Sequence, residues 1–443
     1  MDTQSLKSYF AGKKITVLGL GLLGRGRGDV RFLAEHGAEL IVTDLKNETE
    51  LEPSLRELKG FSNITYRLGG HDLADFKDRD FVLRAAGVPL DSVFIAEARK
   101  NDIPVKMSAS WFAELSQIPI VGVTGTRGKT TVVYLLETIM KAAGMDVLLG
   151  GNVRGVSTLA LVDSVRPNSI ALMELDSWQL QGFGDVKISP SLAVFTTFFP
   201  DHLNYYKGGM DNYLDDKAQI FLNQGAEDTL VVSTQVAPIL KEKYGRKIVS
   251  RVSVADPAKF PKGWTFSLPG EHNKLNAMCA IEAARVLGID ESVIREAIAR
   301  FNGVPGRLEF LREVGGVKIY NDTTATTPEA TIAALKALDP EGKKNILLIM
   351  GGADKGLDMS ELVAEIPRHS KGVLLLAGTG TDKIKDVLRN ITIYRNIADA
   401  VTSAFSMTKE GDIILFSPAF ASFGMFKNEY DRGDQFVALV KNL

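Results

Sequence analysis

Short runs of aliphatic and β-branched residues alternate with longer stretches of helical periodicity along most of this chain. KITVLGLG, RFLAEHGAE and LIVTDLK make the first alternation, and RDFVLRAAGVP follows at 79–89. Apolar runs of this length, separated by amphipathic segments, predict a parallel sheet built from βαβ units. NDIPVKMSASWFAELSQIP, at 101–119, reads as a joint into a second domain. There IPIVGV predicts a strand, GVTGTRGKTT a glycine-rich turn and TTVVYLLETIMKAAG a helix. Val132, Val133, Leu135, Leu136, Ile139 and Met140 recur at helical spacing, and Gly144 supplies a stop. SIALMEL, SLAVFTTF and DTLVVS are further strand candidates, and HNKLNAMCAIEAARVLG is a late helix. A Gly/Pro-rich break at 302–306 precedes KNILLIMGG, MSELVAEI, KGVLLLAGTG, DKIKDVLRN, IADAVTSAFSM and GDIILFSPA, a second doubly wound rhythm. The expected fold class is α/β in three domains. These are a Rossmann-like domain at 1–110, a central P-loop domain with a mainly parallel sheet at 111–303, and a second Rossmann-like domain at 304–443.

Composition adds bounds to this picture. The 443 residues are 45% hydrophobic and 24% charged, close to an average globular protein. A net charge of −2 gives no reason to expect nucleic acid or an acidic membrane as a partner. The single cysteine, Cys279, excludes an internal disulfide framework and reads as a small buried hydrophobe within NAMCAIEAARVLG. MDTQSLKSYFAGKK lacks the apolar core of a signal peptide, and no run of eighteen apolar residues occurs, so a cytoplasmic location is expected. A monomer acting on small molecules is expected too.

Two glycine loops bear on the chemistry. GLGLLG, residues 19–24, satisfies G-x-G-x-x-G after a strand, and Asp44 lies twenty residues beyond Gly24 at the end of the next strand. That spacing would bring a carboxylate to a ribose hydroxyl in a dinucleotide fold. The same turn suits any pyrophosphate at a helix N-terminus, and its glycines could simply ease strand-helix packing. In GVTGTRGKTT, residues 122–131, Val123 stands where the general phosphate-loop pattern wants glycine. Gly125 and Gly128 still allow the backbone to turn N–H groups inward, Lys129 offers a cation to outer phosphates, and Thr130 offers Mg²⁺ a hydroxyl. An NAD-dependent oxidoreductase would use GLGLLG and leave this second loop unexplained. An activity that holds two phosphorylated molecules uses both.

GVTGTRGKTT resembles the T-G-T-x-G-K-[ST]-T loop of the Mur ligases, the ATP-dependent amide-forming enzymes of peptidoglycan assembly. GGN at 150–152, MELDSWQL at 173–180, FPDHLNYY at 199–206, YLDDKAQIF at 213–221 and GEHNKLNAMCA at 270–280 resemble the same family in the same order. GVPGRLEF at 303–310, YNDTTATTPEA at 320–330 and SPAFASFGMFKNEYDRGDQF at 417–436 complete the set. LGLGLLGRG and the overall length resemble the branch that adds D-glutamate. The resemblance implies that ATP phosphorylates a substrate carboxylate to an acyl phosphate, which the amino group of the incoming amino acid then attacks. The implied substrates are ATP, UDP-N-acetylmuramoyl-L-alanine and D-glutamate.

It also implies roles for individual residues. Gly125, Thr126, Arg127, Gly128, Lys129, Thr130 and Thr131 would bind ATP with Asn273, Arg307 and Asp322. Lys129, Glu174, His202 and Lys217 would serve catalysis, and Thr130, Glu174, His202 and Lys217 would hold two Mg²⁺ ions. Read unaided, His202 is an ordinary hydrogen-bonded loop residue and Lys217 a solvated lysine on a charged helix face. The resemblance makes Lys217 a carbamylated lysine, which requires a neutral amine, a form that partial burial would favour. Gly19, Leu20, Gly21, Leu22, Leu23, Gly24, Asp44, Leu45 and Asn152 would hold the UDP-substrate, and Thr326, Lys355 and Ser422 the carboxylates of D-glutamate. The chain has Arg127 where the family usually has Asn, and Thr324 where Lys is frequent. AAG at 85–87 replaces Ser-Pro-Gly, Gly306 replaces a common His, and Glu429 takes an often aromatic position. No D-N-P-R motif is present, which counts against the diaminopimelate-adding relatives. A folylpolyglutamate-type ligase, an oxidoreductase and a non-catalytic nucleotide-binding scaffold are the rival readings.

Overall fold

The computed structural model describes residues 3–22, 24–202, 205–206, 209–388 and 391–442. Among them the strands form three sheets. The first contains β1 (Lys14–Leu18), β2 (Glu39–Asp44), β3 (Ile64–Leu68), β4 (Phe81–Arg84) and β5 (Val105–Lys106). Their order is β3-β2-β1-β4-β5 and every pair is parallel. The order reverses between β1 and β4, so the carboxyl ends of these strands open a crevice at the glycine loop. β3 and the helix Glu48–Leu58 escape the apolar-run reading. β3 alternates half-buried with exposed positions, and the helix has Pro53 in its interior, held by a capping box between Asn47 and Glu50.

The segment 101–119 is more than a joint. Its Val105 and Lys106 pair with Val82 and Leu83 as the sheet edge. Ser108–Ser116 then forms a helix whose Trp111 lies 5.3 Å from the Phe10 ring and 5.1 Å from the Phe81 ring. Trp111 belongs to a core that runs from Leu6 through Tyr244 and so joins the first two sheets.

The second sheet consists of β6 (Ile120–Thr124), β7 (Asp146–Gly151), β8 (Ser169–Glu174), β9 (Leu192–Phe195), β10 (Thr229–Ser233) and β11 (Arg251–Ala255). It is parallel throughout, in the order β11-β10-β9-β6-β8-β7. β6 is buried at all five positions, which explains Val123: the strand continues through it and the turn begins at Gly125.

The third sheet consists of β12 (Glu309–Val314), β13 (Val317–Asn321), β14 (Ile346–Gly351), β15 (Ser370–Leu376), β16 (Ile391–Tyr394) and β17 (Ile413–Phe416). Its order is β12-β13-β17-β14-β15-β16. β12 is an antiparallel edge strand, so the break expected at 302–306 leads into a hairpin and not directly into βαβ units. Gly315 and Gly316, at φ of 56° and 75°, supply the two left-handed residues that a tight hairpin turn requires. Ile346, Leu348 and Met350 of β14 pack on one face of this sheet, and Leu347 and Ile349 on the other. A parallel sheet covered on both faces needs such a continuous apolar strand.

The chain forms two compact units. One contains the first two sheets, up to Lys259, together with Met278–Ile294; the other contains Phe260–Ala277 and everything from Arg295 onward. The helix Glu271–Val286 contributes residues to both. Among the described residues, no helix is long and apolar enough to cross a membrane.

Candidate functional site

The phosphate-type loop sits where β6 ends and the helix Lys129–Ala142 begins. Gly125 has φ 146°, and a Cβ there would lie 2.1 Å from Thr196 Oγ1. Gly128 precedes the helix at φ 88°, a left-handed conformation that suits glycine. The loop is bound to the segment after β9: Thr126 N donates to the Thr197 carbonyl at 2.7 Å and Arg127 N to Thr197 Oγ1 at 2.8 Å. Thr126 Oγ1 donates to the Phe199 carbonyl at 3.2 Å, and Thr131 is buried in the first turn of the helix. The unpaired N–H groups and dipole of such a helix start stabilise an anion.

Register places the other polar groups beside this loop. Val123 pairs with Glu174, and Gly151 of β7 pairs with Glu174 from the other side. Thr130 Oγ1 therefore reaches Glu174 Oε2 at 2.7 Å, and Asn152 Nδ2 reaches Glu174 Oε1 at 3.3 Å. Arg25 Nη1 in turn donates to Asn152 Oδ1. Arg127, the unusual cation of the loop, donates to Asp201 Oδ2 at 2.8 Å and helps hold that carboxyl below its usual range despite burial.

Lys217 is 1% exposed, near the end of the helix Met210–Ala218. The expectation of a solvated helix face is thus corrected: the charged helix turns this lysine inward. Its Nζ donates to the Gly125 carbonyl at 3.0 Å and lies 4.8 Å from the Tyr213 ring centroid. Lys129 Nζ donates to the same carbonyl at 2.9 Å. Burial, and then the Lys129 charge, push the Lys217 amine well below its ordinary pKa, against the pull of Asp176, Asp201 and Glu174. His202 is held at φ 54°, with its ring 4.6 Å from that of Trp178. Burial lowers its pKa, opposed by Asp201 and reinforced by Lys217 and Lys129.

No group of three or more His, Cys, Asp or Glu side chains that could hold a metal occurs among the described residues. The hydroxyl of Thr130 and the carboxylate of Glu174 are nevertheless hard oxygen donors beside a phosphate-type loop. That donor set fits Mg²⁺, which takes one or two protein oxygens and completes its shell with water and phosphate.

A cavity of about 390 Å³ lies in the same unit at the carboxyl ends of β1, β2 and β4, lined by Gly19, Leu20, Gly21, Leu22, Asp44 and Leu45 among others. Leu23 lies outside the described residues. Gly24, at φ 85°, caps the helix Arg25–Glu35. Asp44 is buried beneath the loop: its Oδ2 accepts from Leu20 N at 2.9 Å and Gly21 N at 3.0 Å, and its Oδ1 from Lys46 N at 2.9 Å. The carboxylate shapes the loop before it can meet any ribose.

Sequence reasoning missed three residues of this cavity. Asp29 accepts from Ser108 Oγ at 2.7 Å and Ser157 Oγ at 2.6 Å, and burial raises its carboxyl to about 6. It thereby ties the helix Arg25–Glu35 to two segments near the second sheet. Arg84, buried, donates to the Val88 carbonyl at 2.6 Å and Gln181 Oε1 at 3.0 Å. His71 is the third. Their side-chain partners Ser108, Ser157, Gln181 and Thr43 lie 28 to 128 residues away in sequence, so no local pattern marks them.

The remaining candidates lie in the second compact unit. Asn273 Nδ2 donates to the Pro269 carbonyl at 2.8 Å. Asp322 accepts from Leu308 N at 2.9 Å and Ser417 Oγ at 2.8 Å, and burial raises its carboxyl to about 7, with Arg307 opposing the shift. Lys355 Nζ donates to Thr326 Oγ1 at 3.0 Å. Main-chain bonds between Ala353 and Ala421, and from Ala419 to Ala325, bring the loops that carry Thr326, Lys355 and Ser422 together. Arg432, fully buried, donates to the Thr323 and Phe420 carbonyls and fixes two of those loops. Thr324 Oγ1 turns to the Gly306 carbonyl at 2.8 Å.

A glycine loop between a buried parallel strand and a helix, with a lysine, a threonine and a strand-end glutamate, defines an α/β protein built to handle nucleotide phosphates. Three family models cover successive parts of the chain: the Mur ligase MurD-like N-terminal domain at 13–107, the Mur ligase middle domain at 123–284, and the Mur ligase glutamate ligase domain at 306–420. The chain is 36% identical to a UDP-N-acetylmuramoylalanine--D-glutamate ligase of Roseiflexus, over 98% of this chain and 99% of that one. Enzymes of the same name from Borreliella burgdorferi (37%; 96% and 97% covered) and Clostridioides difficile (33%; 98% and 99%) also match. The chain belongs to the Mur ligase family. Its fold is shared with UDP-N-acetylmuramate-alanine ligase MurC of Thermotoga maritima, at TM-score 0.63 and 19% identity over 97% of this chain and 99% of that one. It is shared too with the MurF ligase of Thermotoga maritima in complex with ADP, at TM-score 0.61 and 16% identity over 99% and 97%.

Proposed function

We propose that this chain is an ATP-dependent ligase of peptidoglycan precursor synthesis that joins D-glutamate to UDP-N-acetylmuramoyl-L-alanine and releases ADP and phosphate. The names and full-length similarity of its relatives support the reaction. The observation that carries the reading is the meeting of Lys129 and the buried Lys217 on one carbonyl, that of Gly125, beside the Thr130–Glu174 contact.

The substrate carboxylate attacks the γ-phosphorus of ATP, ADP leaves, and an acyl phosphate remains. The amine of D-glutamate then attacks the acyl carbon, and the tetrahedral intermediate collapses with loss of phosphate. Bringing one anion to another requires charge compensation as the transferred phosphoryl group moves. Lys129 supplies it, with the main-chain N–H groups of Gly125, Gly128, Thr130 and Thr131; Thr126 and Arg127, whose own N–H groups donate to Thr197, hold the ATP loop in shape. Mg²⁺ at Thr130 and Glu174 would polarise the phosphoryl oxygens. Lys217, once carbamylated by CO₂, would present oxygen ligands for a second Mg²⁺ with His202. Its burial supports this role, because a neutral amine is the form that reacts. The same change puts an anion beside the Lys129 cation at Gly125.

Asn273, Arg307 and Asp322 are assigned to ATP. Gly19, Leu20, Gly21, Leu22, Leu23, Gly24, Asp44, Leu45 and Asn152 are assigned to the UDP-substrate, and Thr326, Lys355 and Ser422 to the carboxylates of D-glutamate. The division into domains at 1–110, 111–303 and 304–443, a monomeric state and a cytoplasmic location belong to the same reading. Phosphate release with ATP, Mg²⁺ and UDP-N-acetylmuramoyl-L-alanine across a panel of amino acids tests it. D-glutamate is expected to drive turnover; no more release than with L-glutamate or no amino acid refutes the assignment.

A further inference from the structure

The spacing of GLGLLG and Asp44 points to a ribose contact, but three main-chain N–H groups already engage that carboxylate. Another side chain is available for the nucleoside. His71 follows β3 and lines the cavity together with Gly21, Asp44 and Lys46. Its Nδ1 lies 2.7 Å from Thr43 Oγ1, and Thr43 Oγ1 donates to the Gly70 carbonyl at 3.1 Å. A threonine hydroxyl has one hydrogen, so with that hydrogen on Gly70 it can only accept from the imidazole. The ring proton is then on Nδ1, and Nε2 carries a lone pair. The Phe94 ring, edge-on at 4.9 Å, fixes the plane of the imidazole. Burial lowers the pKa of His71 against the pull of Asp44 and Asp75, which favours the neutral ring. Nε2 has no hydrogen-bond partner among the described residues, and it is not among the buried atoms sealed from solvent.

An acceptor at this position does not match a diphosphate, whose oxygens are themselves acceptors at neutral pH. The nucleoside end of such a ligand has donors, and in a fold of this order it lies toward β2 and β3, away from the phosphate-binding helix start. We propose that His71 is a specificity-determining residue of this pocket: its Nε2 accepts a hydrogen bond from the uridine half of the substrate, from N3–H of the base or from a ribose hydroxyl. The inference rests on the UDP-substrate reading above and names the group that recognises the nucleoside.

Calorimetric titration of the full chain with UDP, N3-methyl-UDP, 2′-deoxy-UDP and 3′-deoxy-UDP tests it, in wild type, His71→Ala and His71→Gln. Loss of one such hydrogen bond, leaving a partner unsatisfied, is expected to weaken UDP binding about five- to tenfold in His71→Ala. The glutamine amide oxygen is expected to restore part of this. The modified nucleotide that lacks the relevant donor binds wild type and His71→Ala alike: N3-methyl-UDP identifies the base, and a deoxy compound the ribose. Wild type and both variants binding UDP within twofold of one another overturns the inference alone. An equal loss for UDP and every modified nucleotide also overturns it. Absence of UDP binding by the wild type overturns the substrate reading as well.

Discussion

Replacing Asp322 by Asn is expected to stabilise the protein at alkaline pH while impairing ATP use. The Asp322 carboxyl, ordinarily near 3.8, is raised to about 7 because it is buried beneath Leu308 and Ser417. The folded state therefore holds this proton more tightly than the unfolded state. A raised folded-state pKa contributes stability that is complete below the unfolded value and is lost as pH rises through the folded value. At about 1.4 kcal/mol per pH unit, a gap of about three units corresponds to about 4 kcal/mol, lost between about pH 4 and pH 7. Asn imitates the protonated carboxyl and does not titrate. Its Oδ1 can accept from Leu308 N, and its Nδ2 can donate to Ser417 Oγ, which still donates to Thr331 Oγ1 at 2.9 Å. Urea unfolding of wild type and Asp322→Asn should thus give stabilities whose difference is constant below about pH 3.5 and then grows by up to about 4 kcal/mol by pH 8, in favour of Asn. Phosphate release by the variant should fall, because the carboxylate proposed to contact ATP is gone. The same pH slope in both proteins refutes the argument from burial.

Three further outcomes follow from the geometry at Gly125. Lys129→Ala is expected to abolish phosphate release while thermal unfolding changes little, and a near-normal kcat contradicts the phosphate-site assignment. Lys217→Ala should lose activity that a short carboxylic acid partly restores by supplying oxygens in the vacated space; no rescue at any concentration counts against the carbamate. Arg127→Asn removes a partly exposed ion pair with Asp201, so its effect on stability should stay within about 1 kcal/mol. A change in KM for ATP without a change in KM for D-glutamate would place Arg127 in nucleotide binding, and unchanged values for both would exclude it from that role.

Local pattern was enough to identify the P-loop, because its requirements are local. A strand must end, glycines must turn, and a lysine and a hydroxyl must open a helix, all within ten residues. The same holds for the buried strands of the second and third sheets, whose apolar runs leave no other place for them. β3 and the β12–β13 hairpin were less legible, because each is half exposed and mixes polar with apolar positions.

What the sequence determined by itself, then, was the class of fold, the order of its motifs and the phosphate chemistry of one loop. Tertiary structure decided what each titratable group became. Lys217 lies in YLDDKAQIF, where its neighbours promise solvent, and only the packing of its helix against the Gly125 turn strips it of water and lowers its pKa. Asp44 has the spacing of a ribose ligand, and only the fold reveals that the loop's own N–H groups claim it. Charge, burial and hydrogen bonding depend on atoms distant in sequence. A single chain read residue by residue does not contain those distances until it folds.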